Sequence, residues 1–208
     1  MRKAKPMRIE LADTGKRYNR EWIFRHIDLQ FTEGKKYAIT GPNGSGKSTL
    51  LQVIAGSILH SEGRINYSID HKKIEEPYLQ VSFAAPYLEL VEELTAMEAL
   101  RFHEKFKSLS AQPGKILEET GLSSAANKQI RYFSSGMKQR LKLGQAFFSD
   151  TRVLMLDEPT TNLDAEGISL YRRLIEEFSG NRIVIISSND EHEYDLCDEV
   201  IRITDYRS

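Results

Sequence analysis

The sequence predicts an α/β fold with a mostly parallel sheet, an N-terminal antiparallel β subdomain and an inserted helical subdomain. Apolar runs that end in Gly, Ser or Asp and are followed by helical periodicity recur along the 208 residues, as in alternating strands and helices. Three segments carry this pattern: residues 36–40, 153–156 and 183–186. The last two are continuously apolar, which indicates central strands covered on both faces.

Two flanking regions complete the predicted architecture. Residues 9–11 and 27–31 alternate polar and apolar side chains, which favours an antiparallel sheet with one face in water. Residues 86–133 are dense in helix signals and contain no good strand, so we expect a helical subdomain inserted between two strands of the core. The chain length predicts a single domain over residues 1–208.

The helical insertion contains two predicted helices. Thr95 and Glu98 are spaced as a capping box, in which a hydroxyl and a carboxylate satisfy backbone N–H groups reciprocally, before a helix that runs through Phe102 and Phe106. A second short helix is predicted over residues 115–120, because a glycine follows it.

Composition excludes several classes of protein. The 29 Lys and Arg residues balance 30 Asp and Glu, so no strong basic field exists and no nucleic-acid partner is expected. The single cysteine excludes a disulfide framework, and the five histidines lack metal-ligand spacing, so a metal should arrive with a ligand. No apolar stretch approaches the roughly 20 residues that cross a bilayer, and the N-terminus lacks the apolar core of a signal peptide. We therefore expect membrane contact only through a partner.

A phosphate-binding loop is the most specific motif in the chain. Residues 41–48 read GPNGSGKS and match GxxxxGK[ST] in full, between a predicted strand and a predicted helix. Its glycines let backbone N–H groups surround an anion, Lys47 can reach the outer phosphates, and the Ser48 hydroxyl can bind Mg²⁺. This pattern predicts a P-loop NTPase core. The expected nucleotide contacts are Gly41, Pro42, Asn43, Gly44, Ser45, Gly46, Lys47, Ser48 and Thr49.

Two adjacent carboxylates follow a predicted central strand. Asp157 is expected at the edge of the sheet where ligands of open α/β folds bind, and there it can hold Mg²⁺ through water. Because Pro159 disfavours a helical conformation at the residue before it, we expect Glu158 to be extended and to point into the crevice. Glu158 can then orient or deprotonate the water that attacks the γ-phosphate. The alternative is that Glu158 only caps a helix or is solvated.

A third motif resembles the signature of a known family. Residues 133–140 read FSSGMKQR and are predicted to open a helix with an N-terminus rich in hydroxyl and backbone donors, which is a second anion site or, alternatively, an ordinary capped helix. The segment resembles the LSGGQ signature of the ATP-binding-cassette (ABC) family. With the phosphate loop, DEPT at 157–160 and NLD at 162–164, this resemblance covers nearly the whole chain in the expected order.

The resemblance implies a head-to-tail dimer, a homodimer or a heterodimer, with Mg-ATP at the seam. In the family, the signature closes on the γ-phosphate held by the opposite subunit. The ATP contacts implied in this way are Ser134, Ser135 and Gly136. Asp164 is similar to the family's coupling carboxylate, and it is also a candidate N-cap of the following helix. Tyr18 lies where the family places an aromatic residue that stacks on adenine, with Trp22 as a competitor and core packing as the alternative for either.

Two positions depart from the family pattern. Pro86 lies where a Q-loop glutamine is usual, and Gln80 lies too early, within the preceding predicted strand. Asn189 lies where a switch histidine is usual, and an amide can donate a hydrogen bond but carries no charge; His192 is a weaker substitute. Lys47, Glu158 and Asn189 form the expected catalytic set. The hypothesis is that ATP binding and dimerisation persist while hydrolysis is slow, or that a more competent subunit pairs with this one.

The resemblance implies the ATP-hydrolysing subunit of an ABC transporter, cytoplasmic and held at the inner face of the cell membrane by separate transmembrane subunits. Apolar residues at 87–94, rimmed by glutamates, form a predicted docking patch or pack the core of the helical subdomain. The alternative function is a soluble, non-transport ABC ATPase in translation or DNA maintenance, which the near-zero net charge disfavours. A P-loop kinase or GTPase would leave the signature unused and would need an NKxD motif, which is absent from the sequence.

Overall fold

The computed structural model describes residues 6–206 as two sheets with helices around them. The strands are β1 (Met7–Tyr18), β2 (Glu21–Thr32), β3 (Lys36–Thr40), β4 (Glu62–Ile69), β5 (Lys72–Lys73), β6 (Val81–Ala84), β7 (Val153–Asp157), β8 (Ile183–Ser187) and β9 (Glu199–Arg202). The α-helices are α1 (Lys47–Ile54), α2 (Ala96–Glu104), α3 (Pro113–Glu119), α4 (Ser135–Phe148), α5 (Ala165–Phe178) and α6 (Glu191–Tyr194).

The core is a five-stranded parallel sheet in the order β6-β7-β8-β3-β9. The three strands predicted from apolar runs are β3, β7 and β8, and they lie next to one another at its centre. Every residue of β7 and β8 is buried, as the continuous apolar runs required. The α/β fold class is therefore confirmed, and the carboxyl ends of five strands meet at one edge of the sheet.

The second sheet is antiparallel, in the order β2-β1-β4-β5. Ile9 pairs with Phe31 and Leu11 pairs with Leu29, so the alternating segments lie side by side as predicted. Strand β4 was not predicted, because its polar residues leave little alternation to detect.

Residues along β7 alternate between two apolar cores. Leu154 and Leu156 pack into the core formed with helices α2 to α5, and Val153 and Met155 pack into the core formed with α1 and the antiparallel sheet. The parallel sheet is thus the middle layer, since side chains on successive residues of a strand point to opposite faces.

Helices α2, α3 and α4 lie between β6 and β7 in the chain, and the capping box that opens α2 is present. Glu98 N donates to Thr95 Oγ1 over 3.2 Å, and Thr95 N donates to Glu98 Oε2 over 2.8 Å. Helix α3 begins at Pro113, two residues before the predicted start, because proline suits the first turn, where its missing N–H has no partner to lose. Gln80 lies in a 3₁₀ turn, Pro77–Gln80, and not in the strand, which corrects that assignment. Within residues 6–206, no helix is both long enough and apolar enough to cross a membrane.

Candidate nucleotide-binding site

The phosphate-binding loop joins the end of β3 to the start of α1. β3 ends at Thr40 and α1 begins at Lys47, so the free N–H groups of the first helical turn face the loop. Gly46 has a φ of 100°, and a Cβ atom there would lie 2.4 Å from Cγ2 of Ile23. Only glycine tolerates both that conformation and that approach, and the predicted order of strand, loop and helix is confirmed.

The Lys47 side chain is folded over its own loop. Its Nζ donates to the carbonyl oxygen of Gly41 over 2.8 Å and lies 3.4 Å from that of Pro42. The residue is only 5% exposed. Below it, the Ser45 hydroxyl is buried and makes no hydrogen bond with the described residues. Because an unpaired buried polar group costs about 1–3 kcal/mol, this loop is built to receive a polar ligand.

A cavity of about 360 Å³ opens above the loop. Its lining residues are Ile23, Asn43, Gly44, Gly46, Lys47, Ser48, Thr49 and Glu158. The structure therefore brings most of the predicted phosphate contacts together with Glu158, which follows a different strand.

Asp157 ends β7 beside the loop and is 1% exposed. Its Oδ1 accepts a hydrogen bond from the Ser187 hydroxyl over 2.7 Å, whereas its Oδ2 is buried and has no hydrogen-bond partner among residues 6–206. A buried carboxylate oxygen with free lone pairs fits a hydrated cation, so Asp157 and Ser48 suit Mg²⁺. The described residues contain no cluster of three His, Cys, Asp or Glu side chains that could hold a metal.

Glu158 corrects a prediction. Its φ is 42°, so the backbone is left-handed there and not extended. Its N–H donates to the carbonyl oxygen of Ser187 over 2.8 Å, and its own carbonyl oxygen accepts from Thr161 N over 3.1 Å. These bonds hold a conformation that costs a non-glycine residue on the order of 1–3 kcal/mol, and such strain concentrates at functional sites. The side chain nevertheless lines the cavity, as predicted.

Asn189 closes the site from the end of β8. Its Nδ2 donates to Asn43 Oδ1 over 3.0 Å, so the switch position contacts the phosphate-binding loop directly. A second cavity of about 220 Å³ adjoins it, and both Asn43 and Glu158 line the two cavities. His192 is exposed and lines neither cavity, so its placement does not favour the role of substitute.

Sequence reasoning missed Glu193, a carboxylate on α6 beside the same cavity. It is 6% exposed, and its Oε1 accepts from the backbone N–H of Thr160 over 2.7 Å and also from the Thr160 hydroxyl. Burial raises the pKa of Glu193 against these hydrogen bonds. An acidic residue in a four-residue helix gives no sequence signal, because its burial depends on distant elements.

The signature forms a separate helix tip. Ser134 caps α4, and its Oγ accepts from Met137 N over 3.2 Å. Ser135 is the first helical residue, and a Cβ atom on Gly136 would lie 3.0 Å from the carbonyl oxygen of Asn162. None of these signature residues lines the cavity of the phosphate-binding loop.

Asp164 is the N-cap of α5, so that alternative is confirmed. Its Oδ1 accepts from Gly167 N over 2.8 Å and from Arg140 Nη2 over 3.1 Å. These two bonds, the backbone one first, lower the pKa of Asp164. The carboxylate is mostly exposed, so a contact with a second molecule is sterically open.

Helix α4 contacts three loops of the site through successive polar residues. Gln139 Nε2 donates to the carbonyl oxygen of Pro159 over 2.8 Å, and Arg140 pairs with Asp164. Lys142 Nζ donates to the carbonyl oxygen of Pro86 over 2.6 Å and lies 3.3 Å from that of Ala85. The sequence signal that could have predicted these contacts is the presence of polar residues on the inward side of an amphipathic helix.

Neither aromatic candidate for adenine stacking lines the cavity. Tyr18 is 48% exposed, with Lys16 Nζ 4.8 Å from its ring centre. Two guanidinium groups lie over the Trp22 ring, with Cζ of Arg17 5.4 Å and Cζ of Arg25 4.2 Å from the ring centre. The residue of this hairpin that reaches the cavity is the neighbouring Ile23.

The segment after β6 forms a tight turn. Leu88 N donates to the carbonyl oxygen of Ala85 over 3.2 Å, which places Pro86 at the second position of the turn, where its fixed φ is favoured. Tyr87 follows, and the side chains of Gln52 and Asp157 lie close enough to influence the pKa of its hydroxyl. Burial is the main cause that raises the pKa of Tyr87, to about 12.

Comparison with known proteins agrees with the geometry. The family model described as ABC transporter matches residues 24–161. The uncharacterized ABC transporter ATP-binding protein YybJ of Bacillus subtilis is 31% identical over 91% of this chain and 89% of its own length. Two other Bacillus subtilis ABC transporter ATP-binding proteins, 32% and 30% identical, are longer, and the chain spans 64% and 66% of them.

Solved structures share the fold. A putative ABC transporter ATP-binding protein from Pyrococcus furiosus has a TM-score of 0.82 at 21% identity, over 97% of this chain and 100% of that one. A dimeric bacterial ABC transporter cassette has a TM-score of 0.77 at 25% identity, over 93% of each chain.

Proposed function

The chain belongs to the ABC transporter family as an ATP-binding subunit, and we propose that it binds and hydrolyses Mg-ATP in a head-to-tail dimer that moves separate membrane-spanning subunits. The partner in the dimer is a second copy or a related subunit. This complex holds the chain on the cytoplasmic side of the membrane.

One observation carries the proposal: the chain has two anion half-sites that do not meet. The phosphate-binding loop has a cavity of its own, and the signature helix tip from Ser134 to Gly136 lies outside it. A donor-rich helix N-terminus attracts a phosphate, so a second chain that faces the first completes both sites at once. A bacterial ABC transporter cassette of known structure that shares this fold is dimeric, which supports the proposal.

In this proposal, each residue at the site has a separate chemical role. Lys47 binds the outer phosphate oxygens in place of the Gly41 and Pro42 carbonyls that it now contacts. Ser48 and Asp157 would hold Mg²⁺, whose positive charge would offset charge on the phosphates. Glu158 accepts a proton from the attacking water, and its left-handed backbone aims the carboxylate into the cavity.

Slow turnover is part of the proposal. Asn189 donates one neutral hydrogen bond where a histidine could donate a charged one, and charge-assisted bonds are about twice as strong as neutral ones. One N–H of the Asn189 amide donates to Asn43 Oδ1. The second N–H of the same amide can donate to the γ-phosphate.

The helical subdomain offers a surface for the membrane-spanning partner. An apolar groove of about 190 Å³ lies between the segment before α2 and the second half of α2 with the residues that follow it. Its apolar lining residues are Leu90, Val91, Leu94, Ala99, Phe102 and Phe106. Phe102 is 50% exposed and Phe106 is 68% exposed, although their rings pack edge to face. Exposed aromatic residues around a groove are typical of sites that receive a partner helix.

A mixing experiment tests the shared site. Lys47→Ala removes the phosphate-loop half, and Ser135→Glu places a negative charge at the signature tip. In the proposed dimer, each site combines the phosphate-binding loop of one chain with the signature tip of the other. Each variant alone should therefore lack ATPase activity, because both sites of its dimer are damaged. Mixed, they form heterodimers with one intact site, and activity should return to about a quarter of wild type on statistical pairing. No recovery on mixing, with both variants folded, would contradict the proposal.

Capture from detergent-solubilised membranes tests the partner. The wild-type chain should co-purify with an integral membrane protein, and Phe106→Asp should lose it. The matched control is Leu59→Asp, because Leu59 is 81% exposed and lies outside the groove. Retention of a soluble ribosomal or DNA-associated partner instead would favour the soluble class of ABC ATPase.

A further inference from the structure

The turn after β6 has a structure of its own at the position where the family's glutamine is missing. Pro86 occupies the second position of a turn closed by the hydrogen bond from Leu88 N to the Ala85 carbonyl oxygen. Proline fixes its own φ near the value this position requires, so the turn is ordered before any ligand binds. Tyr87 is the third residue of this turn.

Lys142 anchors the same turn from outside. Its ammonium approaches the carbonyl oxygens of both Ala85 and Pro86, at 3.3 and 2.6 Å. Desolvation is the main cause that lowers the pKa of this lysine, and the contact is partly buried. The turn is therefore held at its base by a charged donor on α4.

Tyr87 lies in a turn that begins beside Asp157, one of the two proposed Mg²⁺ ligands. Ala84, the last residue of β6, lies beside Leu156, so the turn begins next to Asp157. The Tyr87 hydroxyl lies close enough to Asp157 and Gln52 for both side chains to influence its pKa. Gln52 lies on α1, four residues after Ser48, and residues four apart share one face of a helix. The hydroxyl thus lies between the two elements that carry the proposed Mg²⁺ ligands.

We propose that Tyr87 is a positioning residue for the Mg-ATP complex, in which its hydroxyl supplies the polar contact that Pro86 cannot make. A phenol both donates and accepts a hydrogen bond, so it can bind a water of the metal shell and the carboxylate of Asp157 together. Pro86 and Lys142 hold the turn that presents it. This inference rests on the proposed Mg-ATP site.

The test compares ATP affinity with Mg²⁺ and with EDTA, measured by calorimetry on the full chain. Tyr87→Phe removes only the hydroxyl and keeps the ring. Affinity for Mg-ATP should fall about threefold to tenfold, the effect of one hydrogen bond, while affinity for ATP in EDTA stays unchanged. Tyr78→Phe is the matched control, because Tyr78 is exposed and distant from the site, and it should change neither value.

Two further variants sharpen the assignment. Pro86→Gln in the Tyr87→Phe background restores the missing amide and should recover part of the lost Mg²⁺ dependence. Lys142→Met should lower Mg-ATP affinity in the same direction as Tyr87→Phe, because the turn loses its anchor.

The outcomes separate this inference from the function it rests on. Equal losses with Mg²⁺ and with EDTA would make Tyr87 a packing residue and overturn the inference, and so would an unchanged affinity. If the wild-type chain bound no ATP and matched Lys47→Ala, the proposed function itself would fail.

Discussion

The two sides of the nucleotide site differ in how closely they keep the family pattern. The phosphate-binding side is built from the ends of β3 and β7, with Lys47 and Asp157 buried and held by backbone geometry. The opposite side is built from loops, and it carries proline at position 86 and asparagine at position 189. Under the proposed function, the predicted triphosphate contacts keep the family pattern, whereas two positions proposed to act near the γ-phosphate depart from it.

The largest expected effect tests the hydrolytic role of Glu158, the residue that follows β7. Glu158→Gln keeps the size of the side chain but removes the base, so ATP hydrolysis should fall by about 10²–10⁴-fold. ATP binding should remain, and Mg-ATP should produce a stable dimer in size-exclusion chromatography. Glu104→Gln, an exposed carboxylate on α2, is the control and should hydrolyse ATP like wild type. A Glu158→Gln variant with undiminished turnover would assign the base to another residue.

The next effect concerns the phosphate-binding side. Lys47→Ala removes a charged donor from a nearly fully buried place, so ATP affinity should fall about tenfold to a hundredfold. Lys105→Ala, an exposed lysine just after α2, should leave the affinity unchanged. Titration calorimetry measures both. Equal ATP affinities for wild type and Lys47→Ala would contradict a role of the phosphate-binding side in ATP binding.

A gain of activity is expected from the switch position. Asn189→His restores a group that can carry a charge, so steady-state phosphate release should rise by about tenfold. The hydrogen bond to Asn43 would also be replaced, which frees the loop to bind phosphate. Asn127→His, at an exposed position in the helical insertion, controls for a new histidine. Unchanged or lower turnover would show that Asn189 does not limit hydrolysis.

The smallest effect is on stability and comes from Glu193. The folded state raises the pKa of this carboxyl above its ordinary value of 4.5, so the folded chain binds the proton more tightly than the unfolded chain does. Ionisation of Glu193 therefore costs stability at neutral pH, and Glu193→Gln should raise the melting temperature slightly there. The gain should shrink as the pH falls through the folded pKa and vanish below about 4.5. A gain that is constant from pH 4 to pH 8 would contradict this origin.

The sequence predicted the parts of the site that depend on local rules. Glycine spacing predicted the loop, and apolar runs predicted β3, β7 and β8, because these signals act over a few residues. The left-handed backbone of Glu158 could not be predicted, since proline after it favours extension and the hydrogen bonds to Ser187 and from Thr161 hold it otherwise. The cavity wall at Ile23 and the anchor at Lys142 were missed for the same reason: each depends on a contact with a distant segment.

Helix α4 connects three loops of the nucleotide site. Gln139, Arg140 and Lys142 hold three different loops within a single turn of a 14-residue helix. At 1.5 Å per residue the helix is about 21 Å long, so a tilt of about 5° about that turn shifts its far end by roughly 1 Å. The loops lie near the pivot, where displacements are smaller but common to all three. A tilt of α4 would therefore displace its contacts with all three loops together.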